Sequence, residues 1–121
     1  MTTLTPLATI ADVDAAAAGR TVPRDFLELV RANPTSPALH SMRDEGGWNS
    51  WTLGQLADQV AKATAGLQAA GVGAGEQVLL MMRNRPDFHW FDAAAQFLRA
   101  TPVSIYNSSS PEEVQYLASH A

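Results

Sequence analysis

The chain contains no cysteine. That excludes a disulfide framework, a thiolate nucleophile and a Cys-ligated zinc site. It contains one lysine, Lys62, and seven arginines scattered along its length. Formal net charge is −4. Nucleic-acid binding wants clustered Lys and Arg, so no nucleic-acid partner is expected. No basic stripe is available for anionic lipid either. No apolar run approaches the roughly 18–20 residues of a membrane span, so no transmembrane segment is expected. The N-terminal MTTLTPLATIADVDAAAAG has no basic start, and Asp12 and Asp14 interrupt it. It does not read as a secretory signal. Without one, Asn107-Ser108-Ser109 is a chance match to a glycosylation sequon, and a cytoplasmic location is expected.

What is present is the balance of a folded protein. Of 121 residues, 46% are hydrophobic and 17% charged, which suits one globular domain. A domain this small leaves a large share of its surface in water. Residues 1–20 are rich in Ala and Thr and weakly patterned, so they read as a loose arm with one short helix near 10–18. Residues 21–121 carry the patterned elements.

The segment TVPRDFLELVRANP reads as a helix. Pro23 suits its first turn, Phe26, Leu27, Leu29 and Val30 form an apolar side, and Asn33-Pro34 ends it. PALHSMRD and WNSWT read as a hairpin around Gly46-Gly47, which supplies the positive φ of a tight turn. Leu39 and Met42 do not alternate cleanly. The best-specified helix runs from Leu53 to Ala70. Leu53, Leu56, Ala57, Val60, Ala63, Thr64 and Leu67 recur at three- and four-residue steps. Thr52 and Gln55 form a capping-box pattern, and Trp51 and Leu56 are spaced for a hydrophobic staple. Asp58 and Lys62 are spaced for an ion pair, and Gly71 for a left-handed C-terminal cap. Gly66 costs about 1 kcal/mol relative to Ala inside a helix, so it is expected to serve close packing.

VLLMM is a continuous apolar run of strand length, which suggests burial on both faces of a parallel sheet. After the turn Asn84-Arg85-Pro86-Asp87 comes a helix with a narrow polar strip of His89, Asp92, Gln96 and Arg99. The rest of it is apolar, which implies a helix packed between layers. PVSIY is a second strand, completing a βαβ unit expected to be right-handed. Ser110, Pro111 and Glu113 then mark a helix start with a second capping box.

Several motifs invite a chemical reading. Gly71-Val72-Gly73-Ala74-Gly75 follows a helix and precedes a strand. Phosphate loops do the reverse, so this is a glycine-rich connection. Asn107-Ser108-Ser109-Ser110 does follow a strand and open a helix, at the strand end where α/β ligand sites gather. It lacks glycine for close approach and lysine for charge, so it reads as a capped turn at the edge of a cleft. His40, His89 and His120 lack metal-ligand spacing. Glu112-Glu113 sit where the dipole of a helix favours acids. Ser104 and Ser108 to Ser110 have no local His or Asp, so no hydrolase triad is supported. Trp48, Trp51, Trp90 and the phenylalanines are expected in the core.

From about Thr21 onward, roughly four-fifths of the chain, the sequence resembles the N-terminal portion of adenylate-forming enzymes. It is most similar to bacterial long-chain fatty-acyl-CoA synthetases. The resemblance lies in the order and spacing of Trp51-Thr52, Gly71 to Val78, Asn84 to Phe88, Pro102 to Tyr106 and Ser110 to Glu112. One departure is local: where many relatives have Gly-Ala, this chain has Arg99-Ala100-Thr101. The larger departure is that the family's Ser/Thr/Gly-rich phosphate loop, Tyr-Gly-x-Thr-Glu motif, ribose aspartate and C-terminal lysine are not present.

The resemblance implies an α/β fold, an incomplete parallel-sheet layered structure with an N-terminal helix and hairpin. It implies a parent enzyme that uses ATP and Mg²⁺ to join a long-chain fatty acid to coenzyme A. The carboxylate attacks the α-phosphate, giving acyl-adenylate and pyrophosphate; the thiol then displaces AMP. Phosphate chemistry needs positive charge and backbone amides, and Lys62 alone does not supply it. So no catalytic, cofactor-binding or metal residue is assigned, and this segment is expected to bind no cofactor. Its expected partner is the remainder of a synthetase chain, with peripheral membrane contact in the parent enzyme. The alternatives are a stand-alone interaction or regulatory module and a subunit of a split enzyme.

Overall fold

The computed structural model describes Pro6 and residues 9–121. The rest of the expected N-terminal arm lies outside the described residues. The short helix expected near 10–18 is α1, Ile10–Ala17, and it buries none of its residues. A reciprocal box starts it: Thr9 Oγ1 accepts from Asp12 N at 3.2 Å and Asp12 Oδ2 accepts from Thr9 N at 2.9 Å.

Helix α2 spans Val22–Ala32, capped by Thr21 with Pro23 in its first turn. It turns Phe26 inward, edge-on to Phe97 at 6.1 Å between ring centroids. Leu27 and Leu29, expected on the same apolar side, are exposed. Only one flank of α2 meets α3 and α4, so the stripe is wider than the surface available to cover it.

The hairpin pairs β1, Pro37–Met42, antiparallel with β2, Trp48–Thr52. Its turn is closed by Arg43 N donating to Gly47 O at 3.0 Å, with Gly46 and Gly47 both at positive φ. The register slips between Pro37 and Leu39, which explains why the strand lacks clean alternation. Trp48, expected in the core, is instead 62% exposed, opposite an equally open Met42. The pair sits at the turn end of the hairpin, where no other described element covers it.

Helix α3, Leu53–Ala69, starts with the expected box. Gln55 N donates to Thr52 Oγ1 and Thr52 N donates to Gln55 Oε1. Leu53 N and Gly54 N also donate to Ser36 O and Pro34 O, tying the helix start to the loop before the hairpin. It ends in a Schellman motif: Gly71 N donates to Gln68 O and Val72 N to Leu67 O, with Gly71 at φ 97. Two expectations about α3 fail. Asp58 and Lys62 do not approach to ion-pair distance; the pairs formed among the described residues are Arg20–Asp25, Arg24–Glu28 and Arg85–Asp87. Gly66 does not serve close packing, because a Cβ added there would meet nothing within 4 Å.

Strand β3, Gln77–Met81, helix α4, Pro86–Phe97, and strand β4, Thr101–Ile105, form the βαβ unit, with β3 and β4 parallel. Helix α4 packs on α2 and α3 on one side and on both strands on the other. That is the between-layers position its apolar arc requires. Ala94 and Ala95 are fully buried and let the helices approach closely. With Leu53, Val60, Leu80 and Ala100 they form the core. Among the described residues α4 alone packs substantially on the two strands, so the expected burial on both faces is not reached: Leu80 is buried and Met81 is 42% exposed.

Helix α4 ends in a second Schellman motif, Arg99 N to Gln96 O and Ala100 N to Ala95 O. Its left-handed residue is Arg99, at φ 60, where α3 uses Gly71. The two helix-to-strand connections lie side by side. Gly75 N donates to Arg99 O at 3.1 Å and Thr101 N to Glu76 O at 2.9 Å. Helix α5, Pro111–His120, completes the described chain.

Candidate functional site

Two strand-to-helix turns, β3 to α4 and β4 to α5, lie at the carboxyl end of the parallel pair. This is where ligands collect in open α/β sheets. Each turn borders a depression.

The first depression is a groove of about 820 Å³ between β4 and α5. The Asn107-to-Ser110 turn stands at its end, and Ser109, Glu112 and Glu113 line it with Ser104 and Tyr116. Ser110 is bonded on both sides: its Oγ accepts from Glu113 N at 3.2 Å, and its N–H donates to Glu113 Oε2 at 2.7 Å. So the expected capped turn at a cleft edge is what forms. The box engages Glu113, and Glu112 lies in the same first turn. Both acids are explained by helix initiation.

The second depression is a crevice of about 740 Å³ between the hairpin and the Asn84-to-Asp87 turn. It brings Arg43 together with Arg83 and Arg85, and Asp44 and Glu45 with Asp87. The charges balance, and Arg85 pairs with Asp87 at 3.7 Å. The wall is braced by Trp51 and Trp90, edge to face at 6.2 Å and 70°. The Nε1 of Trp90 is buried there without a hydrogen-bond acceptor. Sequence reasoning missed this crevice, since its two sides are some forty positions apart and no local pattern joins them.

The remaining candidates stay apart. Gly71 to Gly75 connects α3 to β3 at the amino end of the strands, away from both depressions. His40 Nδ1 lies 2.8 Å from Ser50 Oγ across the hairpin. His89 is exposed on α4, and His120 donates from Nδ1 to Tyr116 O at 2.8 Å. No group of three or more metal-binding side chains occurs among the described residues. The Arg20 guanidinium is held above its usual pKa, first by its hydrogen bonds to Asp25 and then by that carboxylate's charge. That pair is on the surface, outside both depressions.

The donor set does not fit a nucleotide triphosphate. Lys62 lies exposed on α3 and lines neither depression. The groove is edged by acids, and the arginines of the crevice are matched by carboxylates. No glycine-rich turn opens α4 or α5. Phosphate binding draws on free positive charge and on helix-terminal amides that the backbone can bring close, and this combination is not assembled.

Residues 26–121 match the model of the AMP-binding enzyme family. An uncharacterized protein of Mycobacterium tuberculosis is 38% identical over 85 residues, which is 70% of this chain and 49% of that protein. The long-chain-fatty-acid–CoA ligase FadD15 of Mycobacterium bovis is 33% identical over 73 residues, 60% of this chain and 12% of the ligase. Among solved structures, the inhibitor-bound N-terminal domain of FACL13 from M. tuberculosis superposes with a TM-score of 0.74 at 21% identity. That match covers 83% of this chain and 24% of the domain. The chain thus spans about half of its uncharacterized relative and about an eighth of the ligase.

Proposed function

The chain belongs to the AMP-binding enzyme family, and on that premise we propose that it is a scaffold segment of a long-chain fatty-acid–CoA ligase, without activity of its own. The observation that carries this reading is the run from Trp51 to Glu113. It folds as the end of β2, the capped helix α3 and the parallel βαβ unit running into α5, and 73 residues of the chain align at 33% identity with a fatty-acid–CoA ligase. The segment supplies two strands and the helix packed between layers. ATP, Mg²⁺, fatty acid and coenzyme A belong to the parent enzyme, whose remainder brings the phosphate-binding groups this segment lacks. No described helix is long and apolar enough to cross a membrane. A cytoplasmic parent enzyme touching the membrane only peripherally suits that.

The test is fatty-acid-dependent exchange of pyrophosphate into ATP by the purified chain. None is expected; exchange above a no-protein control overturns the scaffold reading.

A second reading is favoured by one observation. The uncharacterized mycobacterial relative is only about twice as long as the stretch it shares with this chain. Short proteins of this kind suit a split-enzyme subunit or a stand-alone module. A stand-alone module runs as a monodisperse species with one cooperative melt. A scaffold segment with open sheet edges self-associates. Size-exclusion chromatography with thermal melting separates them.

A further inference from the structure

An aromatic residue followed by Asn-Ser occurs twice, as Trp48-Asn49-Ser50 and as Tyr106-Asn107-Ser108. Asparagine is among the thermolabile residues. The backbone nitrogen of the next residue can attack its side-chain carbonyl carbon, and a small successor leaves that approach open. The attack needs the peptide after the asparagine to rotate, so local structure decides where it happens. Both asparagines and both serines are exposed, so access does not separate the two copies.

Their backbones do. Asn49 lies within β2. Arg43 N donates to Gly47 O at the turn, and bonded pairs alternate outward from there, so Ser41 and Asn49 exchange backbone bonds. The Asn49 carbonyl belongs to the peptide that must rotate, and the ladder holds it. Asn107 instead sits in the turn from β4 to α5. Ser109 N donates to Tyr106 O at 3.1 Å and closes this turn, with Asn107 and Ser108 at its two central positions. The central peptide of a β-turn lies outside the closing bond. Its carbonyl, the Ser108 N–H and the Asn107 side chain make no hydrogen bond among the described residues. That peptide rotates with no bond lost. The other two asparagines lack a suitable successor: Asn33 precedes Pro34, which has no N–H, and Asn84 precedes the bulky Arg85.

We propose that Asn107 is a site of spontaneous covalent modification, converted through a cyclic imide to aspartate and isoaspartate. The Ser108 nitrogen bonds to Asn107 Cγ and loses its proton, and the side-chain nitrogen leaves as ammonia. Water then opens the ring. Breaking the new bond gives aspartate; breaking the original peptide bond gives isoaspartate. One water enters, one ammonia leaves, and nothing is oxidised or reduced. Either product adds a carboxylate at the end of the groove that Glu112 and Glu113 already line. Isoaspartate also adds a backbone carbon to the turn that leads into α5.

The experiment is incubation of the folded chain in mildly alkaline buffer, then trypsin digestion and mass spectrometry. The four asparagines fall on four different tryptic peptides, Asn107 on residues 100–121. Fragment ions locate each amide-to-acid change. Asn107 is expected to convert at least about tenfold faster than Asn49, a ratio that needs the ladder to cost only about 1.4 kcal/mol to open. In urea both copies are unfolded and are expected to convert at similar rates. Ser108→Leu places a bulkier successor at an exposed position and is expected to slow conversion at least about tenfold. Isoaspartate is expected beside aspartate, read by labelling residues 100–121 with an isoaspartyl methyltransferase.

Equal native rates at the two copies, or an Asn107 that stays intact, overturns the inference. So does a native preference that persists unchanged in urea, because it then lies in the flanking residues and not in the fold. Aspartate without isoaspartate, or undiminished conversion in Ser108→Leu, overturns the cyclic route.

Discussion

Arg99 occupies the left-handed position of the Schellman motif that ends α4, at φ 60. An L-residue with a long side chain pays about 1–2 kcal/mol there, because Cβ crowds the following carbonyl. Replacing it by glycine removes that strain. It also frees the unfolded chain, which returns about 0.5–1 kcal/mol to the unfolded state. The Arg99 side chain is exposed and makes no hydrogen bond or ion pair, so the change deletes no contact. The backbone bonds from Arg99 N to Gln96 O and from Gly75 N to Arg99 O survive it. Arg99→Gly is therefore expected to stabilise the fold by up to about 1.5 kcal/mol, a few °C in Tm. The assay is urea unfolding followed by circular dichroism, read as a rise in midpoint with unchanged slope. A lowered midpoint refutes the reasoning, since relief of strain at the left-handed position would then fall short of the entropy that glycine returns to the unfolded chain. Gly71→Ala at the matching position of α3 is the mirror experiment. A Cβ there meets nothing within 4 Å, so only backbone strain acts and a loss of about 1 kcal/mol is expected.

Four further outcomes follow from the packing. Gly66→Ala is expected to gain about 0.5–1 kcal/mol, because helix propensity improves and space is open. Gly54→Ala in the same helix is expected to fall short of that gain, since its Cβ would lie 3.1 Å from Pro34 O; paired urea titrations compare the two. Ser110→Ala removes the acceptor of Glu113 N and is expected to cost about 1 kcal/mol of α5 stability, read as faster amide exchange across its first turn. A double-mutant cycle of Trp51→Leu and Trp90→Leu is expected to show a coupling of about 0.5–1.5 kcal/mol, because the edge-to-face pair joins the hairpin to α4.

What was legible in the sequence was local. The boxes at Thr52–Gln55 and Ser110–Glu113 and the turn at Gly46-Gly47 each involve residues within one turn of chain, and each forms as read. The βαβ unit was legible because strand period, helix period and turn residues all agreed. The misses depend on what lies across space. Trp48 and the outer leucines of α2 are apolar by type, but covering them needs a partner element, and none is near among the described residues. The Asp58–Lys62 spacing is permissive only, and exposed pairs of that kind gain too little to hold two long side chains together. The strain at Arg99 was not legible, because nothing local in the sequence sets its φ of 60. Of the candidate site, the capped turn beside the β4–α5 groove was readable. The crevice braced by Trp51 and Trp90 was not, because its walls are distant in sequence.

As a proposed scaffold segment of a fatty-acid–CoA ligase, the chain works only within a complete synthetase. The direct measurement is an in-frame chimaera in which residues 26–121 replace the corresponding N-terminal stretch of FadD15. Formation of long-chain acyl-CoA from fatty acid, ATP and coenzyme A is then assayed beside the isolated chain. The chimaera is expected to make acyl-CoA and the isolated chain to make none. A folded chimaera without acyl-CoA formation, or product from the isolated chain, contradicts the account.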